Sequence, residues 1–169
     1  PFWSPDSRFL GFFTSDGNLR KIAVSGGPAQ TLCDVSAAFG AAWNQDGVIV
    51  FGGVIGGRPG LYRVSASGGE AALIARGSLG GWPSFLPDGR RFLYLDIGSG
   101  NWSIYVASLD SQENTRLLGA LSKAVYAPPG YLLFVREGTL MAQPFDAKRI
   151  ELTGEAFPIA KKVIPDIVS

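Results

Sequence analysis

Residues 85–95 read FLPDGRRFLYL: an aromatic residue, a turn and a short apolar run. Pro87 presets φ at the first central position of a turn, the Asp88 carboxylate can accept from backbone two residues on, and Gly89 tolerates positive φ. The run that follows, Phe92-Leu93-Tyr94-Leu95, is too short for a stable helix and lacks a 3.6-residue apolar stripe. Its residue types suit a strand buried on both faces.

The same phrase occurs three more times. Trp3-Ser4-Pro5-Asp6-Ser7, Trp43-Asn44-Gln45-Asp46-Gly47 and Tyr126-Ala127-Pro128-Pro129-Gly130 repeat the aromatic and the turn. The aromatics Trp3, Trp43, Phe85 and Tyr126 are spaced by 40, 42 and 41 residues. Each turn leads into an apolar run: Phe9 to Phe13, Val48 to Phe51, Phe92 to Leu95 and Tyr131 to Val135. Gln45 replaces Pro in the second copy, and Pro129 replaces Asp in the fourth, where the side-chain-capped turn should be lost.

A second hairpin follows in each copy. Asp16-Gly17 leads into Asn18 to Val24, and Glu137-Gly138 into Thr139 to Phe145. In the middle copies, longer loops are expected at Gly52 to Gly60 and Asp96 to Asn101. Gly26-Gly27 and Gly68-Gly69 then turn the chain into a last short strand, a common use of that dipeptide. Four short antiparallel strands per copy, apolar on both faces, cannot bury themselves and must stack on their neighbours. Radial stacking is the β-propeller solution, whereas a β-sandwich would alternate apolar and polar residues without a repeat. The expected fold is all-β: a single, partial propeller over 1–169, an arc of about four four-stranded blades at about 1–35, 36–78, 79–120 and 121–163. Pro1 to Trp3 would end an innermost strand that is mostly missing, and Ile164 to Ser169 would run on toward another blade, so the arc reads as a fragment of a larger propeller.

Composition narrows the chemistry. The 169 residues hold no His and one Cys, which removes Ser-His-Asp or Cys-His catalysis, His-based metal sites and internal disulfides. A net charge of +1 argues against nucleic acid and against an anionic membrane surface. No apolar run approaches the ~20 residues of a membrane span, and no signal-peptide pattern opens the sequence. Neither catalytic activity nor a cofactor is expected.

The Ser-Pro-Asp turn, the strand after it and the strand ending in Gly-Gly resemble the TolB-type propeller repeat, a relative of Trp-Asp-repeat propellers. Residues 25–34 and 126–146 are similar to the C-terminal propeller of bacterial membrane-anchored serine/threonine kinases. That resemblance implies an extracytoplasmic sensor or interaction domain and carries no catalytic residue, since the kinase motifs are absent from this sequence. Two other settings stay open at this point. One is an accessory gating propeller of a prolyl-oligopeptidase-like serine peptidase. The other is a propeller glycosidase, which would need converging carboxylates.

The recurring aromatics read as packing between blades rather than as a ligand cage. Asp6, Asp46 and Asp88 read as turn caps rather than as a metal or acid–base set. Cys33, without a basic neighbour, reads as a small hydrophobe, and Asp110, Glu113 and Arg116 as a solvated hairpin tip. The Pro-Asp and Gly-Gly turns should share one end of the blades, with the longer loops at the other. Binding concentrates on such loops, and Arg58, Asn101 and Trp102 are the expected contacts for a protein, peptide or small-ligand partner. An open arc also invites self-association of one arc with another.

Overall fold

The computed structural model describes residues 1–76, 80–98 and 100–164. Every regular element in them is a strand, and the strands form four antiparallel sheets in chain order. Blade one contains β1 (Phe2–Trp3), β2 (Phe9–Thr14), β3 (Asn18–Ala23) and β4 (Gln30–Asp34). Blade two contains β5 (Ala37–Trp43), β6 (Val48–Ile55), β7 (Arg58–Ser65) and β8 (Ala72–Arg76). Blade three contains β9 (Gly80–Phe85), β10 (Arg91–Asp96), β11 (Ser103–Ser108) and β12 (Asn114–Gly119). Blade four contains β13 (Val125–Ala127), β14 (Tyr131–Arg136) and β15 (Thr139–Asp146), with an outer edge in two pieces. There β16 (Glu151–Leu152) pairs the end of β15, and β17 (Phe157–Lys161) pairs its first half. Each blade is the expected meander, and the fold is the β-propeller type. The expected boundary at 78/79 and the run 165–169 lie outside the described residues.

The repeat extends to backbone detail that residue spacing does not reveal. In each blade the register slips once between the third strand and the outer one. The slips lie at Leu19/Arg20, Leu61/Tyr62, Ile104/Tyr105 and Leu140/Met141, which are equivalent positions. Such a bulge adds local twist to the outer strand. The cross-strand pairs beside it recur as well: Phe51 stacks on Tyr62 at 5.8 Å between ring centroids, and Tyr94 on Tyr105 at 5.5 Å.

The chain forms two compact units, Pro1–Pro83 and Ser84–Ser169. In the first, Leu19, Leu32, Ile49, Phe51, Tyr62 and Val64 make one buried cluster, with Phe2, Phe13 and Trp43 packed against it. In the second, Phe92, Leu93, Leu95, Ile104, Leu132 and Phe134 are sealed from solvent. Phe13, Ile49, Phe51, Phe92, Leu93, Leu95, Leu132 and Phe134 belong to the apolar runs, and Leu19, Leu32, Tyr62, Val64 and Ile104 join them from the third and outer strands.

Two expectations are corrected. Gly52 to Gly60 is not a long loop. The strands β6 and β7 pair from Val48↔Ser65 out to Ile55↔Arg58 and are joined by Gly56 and Gly57 alone. Both glycines have positive φ (56° and 75°), as a two-residue hairpin turn requires. Arg58 is therefore a strand residue beside a tight turn. Trp3, expected to pack between blades, is 56% exposed. Its equivalent Trp43 is covered by Phe2 and Phe9 of the blade before it, and no described residue plays that part for Trp3. Trp43, Phe85 and Tyr126 are half-buried.

Candidate functional site

The Pro-Asp turns are built by their own side chains. Ser4 Oγ accepts from the Phe9 N–H (2.9 Å) and donates to Asp6 Oδ1 (2.6 Å), which also accepts from the Arg8 N–H (3.1 Å). In blade two, Asn44 Oδ1 takes the serine's place, accepting from the Val48 N–H at 2.8 Å. In blade three, Asp88 Oδ1 accepts from the N–H groups of Arg90 and Arg91, both at 2.9 Å, and Oδ2 accepts from Arg91 Nε. Asp6 and Asp88 are thus turn caps. Blade four lacks that carboxylate, and there the Tyr126 hydroxyl donates to the Pro129 carbonyl at 3.0 Å. Asp146 instead caps the next turn, accepting from the N–H groups of Lys148 (2.8 Å) and Arg149 (3.1 Å).

A groove lies beside these turns in each unit. In the first unit, a cavity of about 430 Å³ runs between the Ser4–Asp6 turn and Trp43, Asn44 and Gln45 of the next blade. In the second, a cavity of about 630 Å³ runs between Pro87, Asp88 and Arg91 and the Tyr126, Phe145 and Lys148 walls of blade four. Phe9 and Arg91 occupy the same repeat position, so the two grooves are one structural feature with different linings. The larger has an aromatic floor, where Tyr126 meets Phe145 edge-on at 6.5 Å, flanked by Pro87 and Pro129. Arg91 bridges it, bonded to Asp88 on one side and to the Lys148 carbonyl (3.1 Å) on the other. Its volume lies within the range of small-molecule and peptide sites.

The groove's carboxylates are held ionised. Burial pushes the Asp88 carboxyl up, but the Arg91 and Arg90 N–H groups and the Arg91 guanidinium outweigh it and leave the group below the usual carboxylate range. The Arg149 and Lys148 N–H groups lower Asp146, and the Ser4 hydroxyl and Arg8 N–H lower Asp6. A general acid needs a raised value, so neither Asp88 nor Asp146 can donate a proton near neutrality. Because these folded-state values lie below the unfolded value of about 4, the carboxylates stabilise the fold above that pH. Their contribution is lost as pH falls through the depressed values. The melting temperature should drop between pH 5 and pH 3, and Asp88→Asn should shrink that drop. Equal slopes for the two proteins would contradict the assignment.

The residues expected to bind a partner are placed as follows. Arg58 is exposed at the β6–β7 hairpin of the first unit, with its carbonyl accepting from the Tyr62 hydroxyl at 2.7 Å. Asn101 and Trp102 are in the second unit, on the segment before β11, with Asn101 exposed and Trp102 half-buried. The Asn101 carbonyl accepts from Ser103 Oγ (3.1 Å), and the Trp102 carbonyl from the Ala120 N–H (3.3 Å). Asn101 and Trp102 adjoin each other, at the end of the blades opposite the grooves. The grooves themselves were missed, although Pro87-Asp88 and Tyr126 with Pro129, one repeat apart, were the readable signal. Lys148, Asp146 and Phe145 carried none.

Two other expectations can be placed. Burial pushes the Cys33 thiol up to about 11, with the Asp34 carboxylate adding to the effect, so it is no nucleophile. Arg116 is not at a hairpin tip. It lies in β12 and donates through Nε to Ser103 Oγ at 3.0 Å. No three His, Cys, Asp or Glu side chains converge on a metal position among the described residues, and none of those residues forms a helix long and apolar enough to cross a membrane.

No family model matches the chain. It is 28% identical over 145 residues to an uncharacterised protein of Agrobacterium fabrum, an alignment covering 79% of this chain and 48% of that protein. Among solved structures, a protein assigned as TolB from Agrobacterium tumefaciens superposes with a TM-score of 0.76 at 22% identity, over 95% of this chain and 61% of that one. A chain of a nidogen/laminin complex superposes with a TM-score of 0.66 at 19% identity, over 93% of this chain and 62% of that one. The likeness establishes the propeller fold. The chain spans about half the length of the relative it matches in sequence. Enzymes share the fold too, an oligogalacturonate lyase and a puromycin-hydrolysing peptidase among them, so the fold by itself does not separate binding from catalysis.

Proposed function

We propose that this chain is a non-catalytic interaction propeller that takes an extended peptide or protein segment in the groove between blades three and four. The observation that carries this reading is the wall chemistry. Tyr126, Phe145, Pro87 and Pro129 offer apolar and aromatic surface, Arg91 and Lys148 offer cations, and the two carboxylates are held in their ionised form by turn N–H groups. Such a surface can bind and orient a segment, and its two carboxylates, held below the usual range, are not poised to give up a proton near neutrality. Likeness to a chain from a nidogen/laminin complex is in keeping with a protein partner. Within the second unit, Asn101 and Trp102 offer further contacts, and in the first unit Arg58 does. On the sequence resemblance, the setting is the extracytoplasmic part of a receptor-type serine/threonine kinase.

The binding test is fluorescence anisotropy with a panel of labelled extended peptides. Lys148→Glu and Arg91→Ala should each weaken the best binder about tenfold or more, the loss of one good contact. A binder indifferent to both substitutions would remove the groove from the proposal. The setting is tested by the full reading frame: a kinase and a membrane span before Pro1 support it. A Gly-x-Ser-x-Gly elbow after Ser169 would replace it with the accessory propeller of a peptidase, the reading that likeness to the peptidase favours.

A further inference from the structure

The polar atoms around the larger groove divide into those spent within the chain and those open to a ligand. Its carboxylates are largely spent. Asp88 accepts from the N–H groups of Arg90 and Arg91 through Oδ1, and from Arg91 Nε through Oδ2. Asp146 Oδ1 accepts from the N–H groups of Lys148 and Arg149. The neighbouring cations are spent too: Arg90 forks onto both oxygens of Asp110, and Arg149 pairs with Glu151 at 3.5 Å. The Tyr126 hydroxyl donates to the Pro129 carbonyl.

Three donors on the groove walls remain. Arg91 uses Nε and Nη1, which leaves Nη2. Thr153 lines the blade-four wall and gives its N–H to the Pro144 carbonyl, while its hydroxyl has no partner among the described residues. Lys148 lines the same wall, and its exposed ammonium has no partner among the described residues either. The Lys148 backbone is held from both blades, its N–H by Asp146 and its carbonyl by Arg91 Nη1, so the base of the side chain stays at the groove. Against these three donors stands one open carboxylate oxygen, Asp146 Oδ2. Open donors beside an apolar floor suit an acceptor that brings apolar surface with it. An ionised acceptor makes the stronger bonds and compensates the Lys148 charge, which a neutral carbonyl does not.

We propose that the groove selects acidic segments. A proline or leucine of the segment rests on Tyr126 and Phe145, and an Asp or Glu carboxylate beside it takes the Lys148 ammonium, with the Thr153 hydroxyl on the same wall. This rests on the reading of the groove as a peptide site and adds the charge of the ligand. Three fluorescein-labelled peptides test it: Ser-Pro-Leu-Pro-Glu-Pro-Ser, and the same peptide with Gln or Lys in place of Glu. Fluorescence anisotropy should show the Glu peptide binding about tenfold tighter than the Gln peptide, and the Lys peptide weakest. The Glu preference should shrink as salt is raised toward about 1 M, where the screening length falls to about 3 Å. Lys148→Met keeps the apolar stem and should erase the preference without weakening the Gln peptide, whereas Lys148→Glu should reverse it in favour of the Lys peptide. The side chain is exposed, so both variants should keep the wild-type circular-dichroism spectrum, and the comparison of the three peptides on the wild type needs no substitution. Equal affinities for the three peptides, or a Glu preference that survives Lys148→Met, would overturn this inference and leave the peptide reading in place. A preference for the Lys peptide would overturn it in favour of Asp146 as the group that reads the ligand. Binding by none of the three would overturn both.

Discussion

Gly52→Ala should strongly destabilise the first unit. Gly52 lies within β6 with ordinary strand dihedrals, so the effect is not one of conformational freedom. A Cβ built there would lie 2.1 Å from the Gly80 carbonyl oxygen and 2.7 Å from the Gly81 Cα. The Gly80–Gly81 stretch is hemmed in on the other strand as well, since a Cβ on Gly81 would lie 2.6 Å from the carbonyl oxygen and from the Cβ of Phe39. The obstructing atoms are backbone and cannot rotate away, so the strand must shift. Overpacking of a well-packed core costs about 1–3 kcal/mol, and a clash with main chain belongs at or above the top of that range. Urea unfolding should show a loss of about 3 kcal/mol. Gly56→Asn is the matching control: a Cβ there meets nothing within 4 Å, and Asn tolerates the φ of 56°. Equal, small losses for both variants would mean that β6 and the Gly80–Gly81 backbone are not packed this closely.

That glycine also explains where reading the sequence stopped. The Pro-Asp-Gly turns were legible because each residue carries its own backbone instruction, and the apolar runs after them because nothing but a buried strand suits them. The run from Gly52 to Gly60 misled because glycine signals two opposite things. At Gly56 and Gly57 it makes a turn, whereas at Gly52 and Gly53 it lets another backbone approach a strand. Only the identity of the approaching atoms separates the two, and those are brought in from elsewhere in the chain. The same holds for the groove. Tyr126 and Pro87 were visible as repeat positions, but their facing each other across a cavity depends on how blade four meets blade three. Trp3 shows the same dependence: its residue type and position match Trp43, but burial belongs to the neighbour that covers it. Arg91 bridging Asp88 and the Lys148 carbonyl, a contact across 57 residues, has no local signature at all.

The second large effect concerns Phe51, the fully buried ring at the centre of the first unit. It stacks on Tyr62 of its own blade at 5.8 Å, and Phe13 of blade one meets it in a tilted contact at 6.1 Å. The ring therefore belongs to two contacts, one within a sheet and one between sheets. Phe51→Ala should cost about 3–5 kcal/mol, because the walls of the resulting cavity are themselves strands and can collapse only in part. Phe51→Leu keeps most of the volume while losing both ring contacts, and should cost under about 2 kcal/mol, as volume-conserving apolar exchanges do. The comparison between the two substitutions separates filled volume from aromatic geometry. Chemical unfolding followed by circular dichroism measures both, and a Phe51→Ala loss no larger than that of Phe51→Leu would show that neighbouring side chains refill the space. Either substitution loosens the packing of Phe13 as well as Tyr62, so the damage should reach blade one. Faster backbone hydrogen exchange at Phe12 to Thr14 is the expected sign, because those strand amides are protected only while β2 stays docked on the second blade.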